Sequence, residues 1–393
     1  MRKRIFAEVS AGTFGFPPRG YGGGERFAFG LAKALSEKLR AIIIDFGGYY
    51  ENGVSEGVRI VRLRNPLRLE KGYGLLVYSW NAFTASVTLV LALVKGEIRL
   101  DRPILYFYNG LEYSIFRHLQ VALLPNLQPV YVFRLQSPKW MDVSLLAWWH
   151  KALAIPTELY AISTADIAIF ESEAVRDSVR RYCRIPTRYF VFPNAVDTDV
   201  FCKERYISRS KPNRILYAAR IKRQKNQLAV VRAMATVVKE EPNAKLLLLG
   251  DPDEIDYYRK IRYAVSRLGI ESDVEFHPSV TVEELNMIRA EYPIHIIYSD
   301  YTGFDVAVGE TLAMAAACIF SDIPALRGFV EDGVNCILVP PNNADRLARV
   351  MIELLRNPAR VRQLSEEARR TAISRLSWKV LANNFLDYVN QLT

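Results

Sequence analysis

The sequence has few of the side chains that bind metal ions or form covalent crosslinks. Its 393 residues include four cysteines and four histidines. No two cysteines stand in a CxxC spacing, and all four lie in or beside apolar segments, as reduced structural thiols do. We therefore expect a cytoplasmic protein without disulfides and without a bound metal.

Long apolar runs are also scarce, which argues against membrane insertion. The N-terminus lacks the apolar core and the cleavage site of a signal peptide. Residues 75–94 form an apolar run of about 20 residues, the length of a membrane-spanning helix. This run also carries hydroxyl and amide side chains, at Ser79, Asn81, Thr84, Ser86 and Thr88. A buried crossover helix explains it equally well, so we predict a soluble or peripheral protein.

Negative charge is depleted in the first half of the chain. Residues 1–195 contain 25 Lys and Arg against 16 Asp and Glu, whereas residues 196–393 contain 27 against 26. This basic half suits anionic lipid head groups, phosphorylated acceptors or nucleic acid, but it fits an ordinary solvated face equally well. The clusters that produce it are Arg59, Arg62, Arg64, Arg68 and Lys71, and Arg176, Arg180, Arg181, Arg184 and Arg188.

Apolar strands alternate with helical segments along nearly the whole chain, which predicts doubly wound parallel α/β sheets. The alternation begins again at residue 214, and the chain is too long for one ordinary core. We predict two Rossmann-like domains facing a central cleft, residues 1–195 and 196–375. A C-terminal helix over residues 376–393 is expected to pack back on the first domain. The pattern assigns strands to residues 103–108 and 129–135 without a helix between them.

A glycine-rich loop follows the first strand. It includes Gly22, Gly23 and Gly24, and the helix after it has apolar residues at Phe27 and Leu31. In such a strand–loop–helix unit the backbone can approach a phosphate or a sugar closely. The dinucleotide fingerprint G-x-G-x-x-G does not follow the strand, and the loop contains two prolines. A mobile loop that gates substrate entry therefore fits as well as a rigid phosphate cradle.

A second polar loop separates the apolar residues 294–298 from a helix-forming run. Ligands in open α/β sheets bind at such strand ends, where free amides at the start of the helix attract anions. Glu310, one turn into the helix, can accept hydrogen bonds from hydroxyl groups. Gly303 and Gly309 taken alone are equally compatible with an ordinary turn.

Two cations stand at another strand end in the second half. Arg220 follows the strand at residues 214–218, and Lys225 stands at the entry to the next helix. A guanidinium can bind a diphosphate with two hydrogen bonds while an ammonium acts as a point charge. We interpret this pair as a diphosphate site rather than as an ordinary basic surface.

Seven segments resemble, in order and spacing, those of the family 4 glycosyltransferases. They are residues 172–177, 193–197, 220–226, 303–304, 310, 321–326 and 332–341. The likeness covers nearly the whole C-terminal half, whereas in the first half it is confined to residues 22–25 and the region near Ser172. Members of that family are retaining, nucleotide-sugar-dependent enzymes with the GT-B fold. The resemblance therefore implies this fold and a hexosyltransferase.

The resemblance also implies roles for individual positions. Arg220 and Lys225 match the pair that holds the donor diphosphate, and Glu310 matches a glutamate that contacts the nucleotide ribose. Two positioned cations can stabilise a leaving diphosphate without a metal. Asp251, Pro252 and Asp253 have the spacing of a metal-binding Asp-x-Asp motif but are interpreted as a polar loop. The segment assigned to the donor sugar and phosphate is Gly303, Phe304, Asp305 and Val306, and the loop assigned to closure over the diphosphate is Gly22, Gly23 and Gly24.

Three departures from the family pattern stand out, one of which is Ala315 and Ala317 in place of a usual Gly and Pro. Thr302 replaces the first of two glutamates, so contact with the donor sugar falls to Thr302, to Asp300 or Asp305, or is lost. Gln136 follows the strand at residues 130–135 where many members have a histidine; it cannot act as a base but can hydrogen-bond a sugar. We assign Gln136, with Tyr108, to the acceptor side. His295 alternates with isoleucines and is interpreted as a hydrogen-bonded core residue.

These features predict a retaining glycosyltransferase that uses a UDP- or GDP-linked sugar, without cofactor or metal, and a glycan, lipid-linked or small-molecule acceptor. The alternative is a non-catalytic GT-B protein that binds nucleotide sugars, which Thr302 and Gln136 motivate. Basic and aromatic residues are not interleaved as in single-strand RNA binders, so no nucleic acid partner is expected. The basic first half predicts peripheral contact with an anionic membrane on its cytoplasmic face.

Overall fold

The computed structural model describes most of the chain as two compact units. The described residues are 4–10, 23–46, 53–65, 67, 69, 75–135, 148–206, 211–299 and 304–391. The first unit comprises Met1–Pro193 and Leu381–Thr393, and the second comprises Asn194–Val380.

The first unit is built on an eight-stranded sheet with the order β3-β4-β2-β1-β5-β6-β7-β8. Its strands are β1 (Ile5–Ser10), β2 (Arg40–Asp45), β3 (Gly53–Ser55), β4 (Val58–Arg62), β5 (Ile104–Phe107), β6 (Val130–Leu135), β7 (Ile167–Phe170) and β8 (Tyr189–Val191). Its helices are α1 (Gly23–Ser36), α2 (Leu75–Val94), α3 (Gly110–Leu123), α4 (Trp148–Thr164) and α5 (Glu173–Arg180). Helices between successive parallel strands make this a doubly wound sheet, as predicted.

Helix α3 is a difference from the sequence prediction, which assigned no helix between β5 and β6. Asn109 caps its N-terminus, since the Asn109 side chain accepts hydrogen bonds from the backbone of Leu111 and Glu112. Tyr113 and Phe116, three residues apart, bury the inner face of the helix in the core. The cap and this spacing are a helix signal that the sequence analysis missed.

The edge of the first sheet also departs from the all-parallel prediction. Strand β3 pairs with β4 in the antiparallel sense, whereas the other pairings in this sheet are parallel. Glu56 and Gly57, which connect the two strands, have φ angles of 49° and 80°. Two consecutive positive φ angles are typical of the tight hairpin turn whose twist matches that of the strands.

The C-terminal helix α12 (Trp378–Asn390) joins the first unit from Leu381 onward. Phe385 packs against Phe6 of β1 and Phe190 of β8, with ring centroids 5.8 and 6.4 Å apart. The Tyr388 hydroxyl donates a hydrogen bond of 2.8 Å to the carbonyl of Tyr189. These contacts hold the last helix against strands that lie far away in the sequence.

The second unit is built on a six-stranded, wholly parallel sheet with the order β11-β10-β9-β12-β13-β14. Its strands are β9 (Arg214–Ala218), β10 (Lys245–Leu249), β11 (Val274–His277), β12 (Ile294–Ile297), β13 (Ala317–Ser321) and β14 (Ile337–Val339). Its helices are α6 (Gln227–Glu240), α7 (Ile255–Leu268), α8 (Val282–Glu291), α9 (Val306–Ala313), α10 (Ala344–Arg356) and α11 (Pro358–Thr371). Strands alternate with helices throughout this half, as the sequence predicts.

The two units divide after Pro193, slightly before the boundary that the sequence analysis placed after residue 195. Asn194 belongs to the second unit because its amide donates a hydrogen bond of 2.8 Å to the carbonyl of Phe304. The backbone of Val196 likewise donates to the carbonyl of Leu376.

Helix α2 has the bounds predicted from its apolar run. Ala85, Leu89 and Val90 bury one face of it in the core of the first unit. Within the described ranges, no helix combines the length and the apolar character needed to cross a membrane.

Close packing of α3 on α4 yields a testable expectation for Gly110. A Cβ atom at this position would lie 2.7 Å from the backbone nitrogen of Glu158, which a real Cβ does not tolerate. We expect Gly110→Ala to destabilise the first unit by about 1–3 kcal/mol, the usual cost of overpacking. Urea unfolding measures this, with the exposed Val121→Ala on the same helix as a control. Equal midpoints for the two variants would contradict this packing.

Candidate functional site

The candidate site of the second unit lies at the carboxyl edge of its sheet. Strands β9 and β12 are neighbours and parallel, so the loops that follow Ala218 and Ile297 start side by side. Arg220 and Lys225 belong to the first loop, and Asp305 and helix α9 follow the second. Parallel pairing therefore brings together the two segments that sequence analysis had assigned to a nucleotide-sugar donor.

Arg220 forms an ion pair with Asp253, which lies in the loop after β10. Its Nη1 atom lies 2.8 Å from the Asp253 carboxylate, and 43% of the Arg220 side chain is exposed. Gly250 permits the two loops to meet, since a Cβ atom there would lie 2.3 Å from the carbonyl oxygen of Ala219. The Asp-Pro-Asp triplet is thus a loop, as predicted, and it supplies a partner for Arg220 that the sequence analysis did not identify.

Lys225 ends a short 3-10 turn, Arg223–Lys225, and its ammonium forms an ion pair with the Asp305 carboxylate. The buried hydroxyl of Tyr217 holds this turn by donating to the carbonyl of Lys225 at 2.5 Å. The same hydroxyl accepts a hydrogen bond of 3.2 Å from the backbone of Tyr298 at the end of β12. One phenol on β9 therefore fixes the Lys225 turn to the neighbouring strand.

The Tyr298 hydroxyl makes an equivalent connection, between the end of β12 and the loop after β14. Its hydroxyl donates to the carbonyl of Pro340 at 2.5 Å and accepts from the backbone of Asn343 at 2.9 Å. Both tyrosines are almost completely buried. Between them they hold the loops after β9, β12 and β14 at one edge of the sheet.

Asp305 caps the N-terminus of α9, since its side chain accepts a hydrogen bond of 3.2 Å from the backbone of Ala307. Burial by itself would raise the pKa of the Asp305 carboxyl, but the Lys225 ammonium and the Ala307 amide outweigh it, and the pKa lies below its usual value. The pKa of Lys222 is lowered, first by burial and then by Arg220 and Lys225. Three cations and a charged carboxylate therefore crowd this edge.

Glu310 lies in the second turn of α9 and is buried against Arg289 of α8. The Arg289 Nη2 atom lies 2.7 Å from Glu310 Oε2, and both side chains are at least 89% removed from solvent. The sequence analysis assigned Glu310 to a ribose and did not identify Arg289 as its partner. The sequence did carry one signal of such a partner: a glutamate in an apolar helix is buried and therefore needs a counter-charge.

The structure places the remaining residues assigned to the donor in several different settings. Phe304 turns its ring into the core against Phe329, with centroids 5.5 Å apart, so only its backbone is available to a ligand. Val306 begins α9, and Gly23 and Gly24 form the first turn of α1 rather than the predicted loop. The predicted site residues outside the described ranges are Gly22, Gln136, Thr302 and Gly303.

On the acceptor side, Tyr108 directly follows β5, and β6 ends one residue before Gln136. These strands are paired neighbours, so Tyr108 follows β5 at the edge of the first sheet where β6 also ends. Arg134, near the end of β6, is fully buried beneath this edge. It donates to the Phe192 carbonyl at 3.2 Å and lies 3.5 Å from the centre of the Phe27 ring. Sequence analysis did not identify Arg134.

His295 agrees with its interpretation as a core residue. His295 is buried, its Nε2 lies 3.1 Å from the Arg289 carbonyl, and burial lowers its pKa to about 3. It is therefore a neutral core residue. All four cysteines are free thiols. The described residues contain no group of three or more His, Cys, Asp or Glu side chains that could hold a metal ion.

Truncating Arg289 tests whether the buried ion pair is structural. We expect Arg289→Ala to destabilise the second unit by about 3–5 kcal/mol, because it removes a counter-charge from the buried Glu310 carboxylate. The double variant Arg289→Ala/Glu310→Ala should lose less than the sum of the two single variants. Chemical denaturation of all four proteins measures the coupling, and strictly additive losses would contradict it.

Comparison with known proteins finds similarity over the half of the chain that carries this site. Residues 202–371 match the model of the family described as glycosyl transferases group 1. The chain is 25% identical to the MMP alpha-(1->4)-mannosyltransferase of Mycolicibacterium hassiacum over 62% of its own length and 59% of that protein. It is 26% identical to the alpha-maltose-1-phosphate synthase of Mycolicibacterium smegmatis over 60% of its own length and 66% of that protein. In both comparisons it spans less than two thirds of the relative.

Solved structures share the fold over the whole chain. Sucrose-phosphate synthase from Thermosynechococcus elongatus superposes with a TM-score of 0.77 at 19% identity, covering 100% of this chain and 99% of the other. HepE of Anabaena, determined in complex with UDP, superposes with a TM-score of 0.72 at 15% identity, covering 99% and 100%. The predicted GT-B fold is confirmed. Residues 202–371 are therefore similar to glycosyl transferases group 1, and the chain as a whole has the GT-B fold.

Proposed function

We propose that the protein is a retaining glycosyltransferase that moves a hexose from a UDP- or GDP-linked donor to an acceptor bound by the first unit. The observation that carries the proposal is the pair of cations, Arg220 and Lys225, held at the carboxyl edge of the second sheet beside the start of α9. Cations and helix-start amides at one sheet edge form a site for a diphosphate.

The proposed reaction follows from these charges. The bond between the anomeric carbon and the diphosphate oxygen breaks, and a bond to the acceptor hydroxyl oxygen forms on the same face of the sugar. The leaving phosphate oxygen takes the acceptor proton, so no enzyme base is required. Arg220 and Lys225 stabilise the negative charge that develops on the leaving diphosphate, and this is the role that a metal ion fills in other transferases.

Glu310 keeps its proposed ribose role alongside its ion pair. A carboxylate offers about four acceptor positions, so the hydrogen bond from Arg289 is compatible with a second one from a ribose hydroxyl. Arg289 then holds the carboxylate in a single orientation. As the family resemblance implies, we assign residues 303–306 to the donor sugar and phosphate, and Gly23 and Gly24 to closure over the diphosphate.

The relatives support a nucleotide-sugar donor. HepE of Anabaena has been determined with UDP-glucose, and a relative from Dictyostelium discoideum is described as a GDP-Man-dependent mannosyltransferase. A glycan, lipid-linked or small-molecule acceptor would contact Tyr108 and Gln136. Binding without transfer is the second candidate, because Thr302 replaces a glutamate at the donor sugar and Gln136 cannot serve as a base.

Turnover of a donor panel tests the proposal. We expect UDP-, GDP- or ADP-sugars incubated with candidate acceptors to release nucleotide, and either Lys225→Ala or Arg220→Ala to lower the rate by about 100-fold, the effect of losing one transition-state stabiliser. Arg223→Ala is the matched control, since Arg223 lies in the same turn and 63% of its side chain is exposed. Donor binding without release would favour the non-catalytic candidate.

We also propose that the first unit docks on an anionic membrane surface through the outer face of α2. Trp80, Phe83, Leu91 and Val94 lie on this face and are between 43% and 59% exposed. Leu67 and Leu69 extend it and are also exposed; the Trp80 indole donates to the Leu67 carbonyl at 2.6 Å. A surface helix that is apolar on both faces is typical of an interaction site.

Positive charge accompanies this apolar surface at its N-terminal end. Arg62 ends β4, Arg64 is exposed, and Asn65 connects them to α2 through a hydrogen bond of 2.9 Å to Thr84. Arginines beside exposed tryptophan, phenylalanine and leucine side chains suit the boundary between lipid head groups and acyl chains. This arrangement favours an anionic lipid surface over a neutral protein partner.

Vesicle sedimentation measures this docking. We expect Trp80→Ser/Phe83→Ser and Arg64→Glu each to weaken binding to anionic vesicles by about tenfold, and the wild-type affinity to fall with added salt. Tyr263→Ser/Met287→Ser is the control, because both residues are exposed apolar side chains of the second unit. Vesicle binding that does not change with ionic strength would contradict docking through this surface. So would variants that lose no more binding than the control.

A further inference from the structure

Each of the two proposed diphosphate cations faces a carboxylate of the protein itself. Arg220 pairs with Asp253, and Lys225 pairs with Asp305. The side chains of Lys225 and Asp305 are 13% and 21% exposed, whereas those of Arg220 and Asp253 are 43% and 32% exposed. Solvent screens a partly buried pair much less than an exposed one. The Asp305 charge therefore acts strongly on whatever else binds Lys225.

Asp305 is fixed in this position by its neighbours on both sides. Its carboxylate accepts from the Ala307 backbone at the start of α9, and the carbonyl of Phe304, directly before it, accepts from Asn194. The Tyr217 hydroxyl holds the backbone carbonyl of Lys225, and the Lys225 ammonium pairs with the Asp305 carboxylate. Because the ammonium already contacts this fixed carboxylate, a bound diphosphate has to share it with Asp305. An ammonium has three N–H donors, which makes such sharing possible.

The carboxylate acts differently on substrate and product. In a nucleotide sugar both phosphates are esterified and carry about one negative charge each, whereas the terminal phosphate of a free nucleoside diphosphate is a monoester with a charge of about −1.5 to −2 at neutral pH. Repulsion from a fixed carboxylate grows with the charge of its neighbour. The released nucleoside diphosphate is therefore disfavoured more than the donor.

We propose that Asp305 is a specificity-determining residue whose fixed carboxylate shares Lys225 with the donor and discriminates against the free nucleoside diphosphate. This role rests on the proposed function, and it adds a discrimination between the donor and its own leaving group. Asp305 lowers product affinity and so favours product release after each transfer. Asp253 is also negatively charged, but it repels the nucleoside diphosphate more weakly, because its pair with Arg220 is more exposed to solvent.

Calorimetric titration of Asp305→Asn tests this role with UDP, GDP, UDP-glucose and GDP-mannose as probes. Asparagine keeps the capping oxygen for Ala307 but removes the charge. We expect the dissociation constant of the nucleoside diphosphate that binds wild-type protein to fall by about tenfold, which corresponds to about 1.4 kcal/mol. The dissociation constant of the matching nucleotide sugar should fall by about threefold at most. Inhibition by the nucleoside diphosphate product should therefore become stronger.

Two further variants make the outcome unambiguous. Asp253→Asn removes the more exposed carboxylate and should tighten nucleoside diphosphate binding less than Asp305→Asn does. Asp305→Ser, which also caps a helix without charge, should repeat the effect and replaces Asp305→Asn if that variant fails to fold. Unchanged or weaker nucleoside diphosphate binding in a folded, uncharged variant overturns the role of Asp305 alone. Absence of binding by the wild-type protein to all four probes overturns this role and the proposed function together.

Discussion

Parallel pairing of β9 with β12 is the constraint on which the candidate site depends. Because parallel strands end at the same edge, the loops that carry Lys225 and Asp305 meet although these residues are 80 positions apart. The Tyr217 hydroxyl then converts this proximity into a fixed arrangement by bonding to both loops. Arg220 is positioned by the same principle on the other side, where β10 brings Asp253 to β9.

Electrostatics at this edge is a balance rather than a simple accumulation of positive charge. Burial, and after it the neighbouring charges of Arg220 and Lys225, lower the pKa of Lys222, so this cluster of cations would be costly without compensating negative charge. Asp253 and Asp305 reduce that cost while the site is empty. A ligand has to compete with carboxylates that already satisfy the cations. The two carboxylates thus stabilise the cluster of cations, and under the proposed function they lower its affinity for an anion.

The fold could be predicted from the sequence to a large extent, because apolar periodicity directly reflects burial. Strand β6 and helix α2 formed at or close to their predicted bounds for this reason. Helix α3 was missed, since only a few of its residues face the core and its capping Asn109 looks like an ordinary loop residue in the sequence. The hairpin at Glu56 and Gly57 was missed because the strand it closes has three residues, too few to show a period.

The candidate site was predictable in its parts but not in its pairings. Lys225 was assigned to the donor from local context and Asp305 from the family resemblance, yet nothing local indicates that they contact each other. The same holds for Glu310 and Arg289, whose side chains meet only because α8 and α9 flank β12. Partners of this kind depend on which strands are neighbours in the sheet. Local sequence patterns carry no such information.

The tyrosine hydroxyls at this edge bind backbone atoms: the carbonyls of Lys225 and Pro340 and the amides of Tyr298 and Asn343. Such bonds do not depend on which side chains the loops carry. Substitutions in these loops can therefore accumulate over evolution without displacing the loop backbone, as long as the two buried phenols persist. The buried core thus holds the loop backbone in place, while the loop side chains, and with them ligand preference, can change.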